Sequence, residues 1–147
     1  MKAAFLYNFF KFIEWPPASA SQKDYSLCAT GNDQLGDSLL VLENKTIGSK
    51  SLVIRRSLNG NALKECDMVF ISSSENAAAI LRDLKGLPVV TVSDKPDFVD
   101  QGGMIGLVMV QDDSRLGFEI NLATAQAADI HISSQLLKLA KRVYTSK

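Results

Sequence analysis

The 147-residue sequence is poor in the residues from which catalytic centres are built. It holds a single histidine, His131, which argues against zinc chemistry and against histidine-based acid–base catalysis. Neither sign of charge is in excess: sixteen basic residues balance sixteen acidic ones, so no strong field draws the chain toward nucleic acid or anionic lipid. A partner must be found by shape and apolar contact. No apolar run approaches the roughly 20 residues needed to cross a bilayer, so direct membrane insertion is not expected. Phosphate loops are missing too. Gly31-Asn32-Asp33-Gln34-Leu35-Gly36 is an incomplete glycine pattern, and Asp33 at a helix start would repel phosphate, so it reads as a turn with an N-cap. Ser72-Ser73-Ser74 lacks the flanking glycines and the histidine of a nucleophile elbow and reads as helix caps. Asp94 and Asp97 follow a strand, but without metal ligands nearby they read as a solvated loop. These absences exclude an evident enzyme, metal site or cofactor.

Cysteine is scarce as well, with only Cys28 and Cys66. Two readings stand: a pair of buried thiols in a cytosolic protein, or one disulfide that would stabilise the fold by about 4 kcal/mol. Geometry weighs against the bridge. On adjacent strands ending in register the two would sit about three residues, roughly 10 Å, apart, and a bridge tolerates less than about 7 Å between Cα atoms.

What is present is a regular alternation of elements. Lys2–Ile13 is amphipathic, with Phe5, Phe9 and Phe12 at helical spacing, and Trp15-Pro16 ends it. This start imitates a secretory signal, with Lys2, the apolar Ala3–Phe10 and a small-residue site at Ala18–Ala20. Asn8, Lys11 and Glu14 interrupt it, and Trp15-Pro16-Pro17 is a poor lead-in to cleavage, so the segment reads as a folded first helix. A strand at Tyr25–Thr30, a helix at Asp33–Leu42 and a strand at Ser51–Ser57 follow, with Arg55 and Arg56 near an edge. Next come the apolar strand Cys66–Ser72, an alanine-rich helix, Glu75–Leu84, stopped by Gly86, and the strand Pro88–Ser93. Met104–Val110 and Arg115–Leu122 read as an antiparallel hairpin joined by Gln111–Ser114. Two helices close the chain. In the second, Ser133 is the N-cap, Ile132 and Leu137 are placed as a staple, and Leu136, Leu139, Ala140 and Val143 continue the helical spacing. The prediction is a single α/β domain over 1–147, with a largely parallel central sheet flanked by helices, an antiparallel hairpin at one edge and two C-terminal helices.

Two groups of residues are candidates for binding. In Phe118-Glu119-Ile120-Asn121 strand alternation puts Glu119 and Asn121 on the face opposite Phe118 and Ile120, with Arg115 further along the polar face. These three are candidate partner contacts, against the plainer reading of a solvated strand with Asn121 capping the next helix. Tyr7, Phe10 and Trp15 are candidates for an aromatic-lined ligand cleft, against the plainer reading of ordinary core.

KAAFLYNFFKFIEWP at the start, CDMVFIS in the middle and GGMIGLVMV…FEINLATAQAADIHISSQLLKLAKRV at the end resemble the YfiR family of small periplasmic proteins, over Lys2 to Val143. The resemblance implies a non-enzymatic regulator that binds and inhibits the periplasmic domain of an inner-membrane diguanylate cyclase, lowering cyclic di-GMP and biofilm formation. It further implies sequestration by an outer-membrane lipoprotein, a homodimer, and export with the signal peptide already removed from this chain. It implies a Cys28–Cys66 disulfide, because family members carry a bridge at similar spacing in an oxidising compartment. The better-known members have a second cysteine pair near the hairpin, and this chain has no cysteine beyond Cys66. The alternative is a periplasmic sensor domain for a small ligand, acting with another signalling protein.

Overall fold

In a computed structural model the described residues are 2–15, 24–30, 42–43, 45–47, 50–58, 63–64, 66–71, 77–95, 98–110 and 115–144. The expected turn and helix at 31–41, the turn at 59–61, the serines at 72–74, the second half of the 94–97 loop and the hairpin turn at 111–114 lie outside them.

Helix α1, Lys2–Phe12, forms because Leu6, Phe9 and Phe10, continued by Ile13, recur at i, i+3, i+4 and i+7, and all four are buried. A two-residue strand β1, Ile13–Glu14, then pairs antiparallel with β9, His131–Ile132. Nine described strands besides β1 follow: β2 Asp24–Thr30, β3 Thr46–Ile47, β4 Lys50–Leu58, β5 Met68–Ile71, β6 Val90–Ser93, β7 Ile105–Val110, β8 Arg115–Asn121, then β9, and β10 Arg142–Tyr144. Among the described residues eight of these make one sheet in the order β10-β8-β7-β6-β5-β2-β4-β3. The pairs from β4 through β2, β5 and β6 to β7 are parallel, β7 and β8 are antiparallel, and β10 runs parallel to β8. This is the expected α/β domain with its largely parallel sheet.

Both faces of the sheet are covered, which is why β5 and β6 are buried at every position. On one face Leu27, Ala29, Met68, Phe70, Val90, Val92, Ile105, Phe118 and Ile120 pack with α1 and with the two late helices, α3 (Leu122–Ala127) and α4 (Ser134–Leu139). On the other, Cys28, Val69 and Ile71 pack with Leu63, Phe98 and α2 (Ala77–Leu84). Gly86, at φ 79°, turns the chain out of α2 as the sequence predicts. A short 3₁₀ turn, Val99–Gln101, leads into β7.

The ends of the chain differ from expectation in one respect. The apolar spacing from Leu136 to Val143 predicts one helix, but α4 stops at Leu139, because Ala140 is extended at φ −70° and ψ 141°. The Lys141 N–H then donates to the Phe118 carbonyl at 2.7 Å, and the chain joins the sheet as β10, outside the hairpin. The reason is non-local: the backbone of β8 offers an unpaired edge, and Arg142 and Tyr144 find partners along it. The caps of both late helices agree with the sequence. Ser133 Oγ accepts from Gln135 N–H, and Asn121 Oδ1 accepts from Thr124 N–H, each at 3.1 Å.

Candidate functional site

The pairing of β10 with β8 sets Arg142 opposite Glu119 and Tyr144 opposite Asn121. Four polar side chains therefore converge on one face at the end of the sheet. Glu119 is only 7% exposed, and its Oε2 accepts from Arg142 Nε at 2.7 Å. The Arg142 guanidinium lies over the Tyr144 ring, 4.7 Å from its centroid. The Tyr144 hydroxyl donates to the Asp100 carboxylate of the 3₁₀ turn, which raises its pKa above the ordinary phenol value. Asn121 is 5% exposed and wholly engaged: Nδ2 donates to the Val99 carbonyl at 3.0 Å while Oδ1 caps α3.

This corrects one part of the sequence reading. Glu119 and Asn121 do lie on the face opposite Phe118 and Ile120, but that face is covered. Glu119 is sealed by Arg142, and Asn121 ties α3 to the 3₁₀ turn. Arg115 is placed by its backbone alone, opposite Val110, far along β8 from the other two. The structure thus brings Glu119 and Asn121 together and leaves Arg115 apart. What faces water at this end is a set the sequence reading took as helix core: Leu139, 69% exposed, and Val143, 37% exposed, the latter on the Ile120 side of β10 and so on the face opposite Arg142. The overlooked signal was Arg142-Val143-Tyr144 directly after the helix, a β-branched and aromatic alternation that suits a strand.

The aromatic candidates divide differently. Phe10 and Trp15 stack at 5.4 Å and 24°, and Tyr25 closes on both at 5.2 Å. The Trp15 indole N–H donates to the Asp67 carbonyl at 2.9 Å. These rings fill one another's space as core. Tyr7 stands apart at the β3 edge, its hydroxyl donating to the Thr46 carbonyl at 3.0 Å and its ring beneath Lys11, 4.7 Å away.

Cys28 and Cys66 are bridged, with Cα atoms 6.2 Å apart. Cys28 pairs in register with Val69, so Cys66 is three residues upstream, as the geometric objection supposed. The separation closes because Cys66 precedes β5: its N–H donates to the Leu63 carbonyl in a turn, and the chain bends toward Cys28 rather than running straight.

Among the described residues no group of three or more His, Cys, Asp or Glu is placed to hold a metal, and no helix is long and apolar enough to cross a membrane. His131 is exposed and pairs through its backbone with Glu14. The edge formed by α4 and β10 thus exposes two aliphatic side chains and one cation, with Glu119 and Asn121 held by hydrogen bonds beneath it. A family model described as YfiR/HmsC-like matches residues 1–141. The proteins of that family are periplasmic regulators of cyclic di-GMP signalling.

Proposed function

Because this chain belongs to the YfiR/HmsC-like family, we propose that it is a non-enzymatic periplasmic regulator. It binds the periplasmic domain of an inner-membrane diguanylate cyclase and holds that enzyme inactive, lowering cyclic di-GMP and biofilm formation. Release, in this reading, follows sequestration by an outer-membrane lipoprotein, and the free protein is a homodimer. The observation that carries the proposal is the family match over nearly the whole chain. A buried disulfide supports a life in an oxidising compartment.

The docking surface proposed is the β8–β10 end of the sheet. Leu139 and Val143 supply apolar area at this edge, Arg142 supplies a cation on the other face of the same strand, and Arg115, further along β8, is a second, outlying contact. Glu119 and Asn121 contribute from beneath, by fixing Arg142 and the start of α3. The two exposed aliphatic side chains supply the apolar contact that the reading requires.

The test is capture of a diguanylate cyclase periplasmic domain by the tagged chain, paired with thermal melting. Leu139→Asp changes an exposed side chain, so its melting temperature should stay close to that of the parent. Its affinity should fall roughly tenfold, as expected when an interface anchor worth more than about 1 kcal/mol is lost. A parent chain that captures no cyclase domain overturns the regulator reading, and an unchanged affinity in Leu139→Asp moves the interface elsewhere.

A further inference from the structure

A cavity of about 520 Å³ opens at the amino ends of β6 and β7 and reaches Asn121 at the end of β8 and Tyr144 of β10. The volume falls within the range of about 300–1,000 Å³ typical of small-ligand sites. Its inner wall is apolar, built from Leu84, Val99 and Met104, all buried, with Leu81 and Leu87 nearer the opening. Two buried polar groups on that wall are already committed. Thr91 Oγ1 accepts from Met104 N–H at 2.9 Å, and Asn121 is satisfied at both ends of its amide. A ligand that pushed polar atoms deep inside would therefore lose their hydration without replacement.

Charge is confined to the mouth. Arg82 and Lys85, both exposed on the last turn of α2 and just beyond it, reach the lining from one side. Neither has an ion-pair partner among the described residues. The one carboxylate on the lining is Asp100, and it already accepts the Tyr144 hydroxyl. The mouth therefore carries two cations against one carboxylate already engaged by a hydroxyl, a net positive charge above an apolar floor.

We propose that this cavity is a binding site for a small monocarboxylate with an apolar chain or ring, whose hydrocarbon enters between α2 and the 3₁₀ turn and whose carboxylate stays at the mouth with Arg82 and Lys85. The cavity shares Asn121 and Tyr144 with the inner side of the β8–β10 region but not Leu139, Arg142 or Val143, so the Leu139→Asp capture test and the octanoate test fail independently of each other. The apolar body supplies affinity through burial, and the two cations supply selectivity for an acid over its neutral analogue.

Octanoate, below its micellar concentration, is the probe, with octanamide as the neutral analogue. Binding is followed by the melting temperature and by the methyl resonance of Met104. Octanoate should raise the melting temperature and shift the Met104 methyl, and octanamide should bind roughly tenfold more weakly. Joint Arg82→Gln and Lys85→Gln replacement should remove that preference without altering the unliganded melting temperature. Ala127→Trp or Ala78→Trp, at exposed alanines on the lining, should fill the cavity and abolish both signals while the fold is kept. Two independent plugs guard against one of them unfolding the chain. No response to octanoate, equal binding of octanamide, or an undiminished response in a folded plugged variant would each overturn the proposal.

Discussion

Glu119 shows how little a single polar letter says about exposure. It alternates with Phe118 and Ile120 as a solvated strand residue would, yet it is sealed beneath Arg142. Arg142 is itself about half exposed, so the pair lies between the surface and buried limits of ion-pair energetics. Arg142→Ala should destabilise the fold, because Glu119 is then left beneath the surface without its donor. Glu119→Lys should cost more, since it sets two cations against each other; chemical denaturation of the two variants reads the difference. Asp67 is a second buried carboxyl. Burial raises its pKa, and the Ser26 N–H at 2.8 Å and the charge of Lys50 only partly oppose that. The folded state therefore holds this proton more tightly than the unfolded chain, whose value is about 3.9. The stabilisation is complete below that pH and is lost as pH rises through the folded value. Asp67→Asn cannot ionise and should be more stable than the parent at neutral pH, the gap closing as acid protonates the parent. Melting temperatures measured against pH check this, and a gap that widens in acid would refute it.

At the scale of elements, the approach of the 3₁₀ turn to β7 depends on one glycine that acts by size, Gly103, and not on its neighbour Gly106. A methyl group at Gly103 would overlap the Phe98 ring, whereas one at Gly106 would meet Val99 Cγ1 at 3.5 Å, an ordinary contact. Gly103→Ala should therefore destabilise by about 1–3 kcal/mol, the usual cost of overpacking. Gly106→Ala should be nearly neutral, and equal denaturation midpoints for the two would show that the turn yields. The boundary between α4 and β10 is set in a comparable way by its surroundings. Helical periodicity runs on to Val143, but Leu139 and Val143 have no apolar face to meet, and the edge of β8 gains a strand instead. Capping was legible at this scale because it is local: Asn121 and Ser133 each satisfy an amide two or three residues ahead.

Across the whole molecule, the Cys28–Cys66 bridge joins β2 to the entry of β5 over 38 residues of sequence. In the loop-entropy model such a closure stabilises by about 4 kcal/mol. Replacing both cysteines by alanine should lower the unfolding free energy by that order, and reduction of the parent should shift its midpoint toward the variant's. Coincident midpoints for reduced and oxidised protein would show that the bridge adds no stability. The sequence by itself determined the class of fold, because apolar runs, amphipathic spacing and caps are local and each states how one segment buries its own side chains. Tertiary structure decided where β2 sits between β4 and β5, how Cys66 bends within reach of Cys28, that Glu119 is covered while Leu139 is bare, and where a cavity remains. Each of these turns on which distant segment lies alongside, and the periodicity of one segment carries no record of its neighbour.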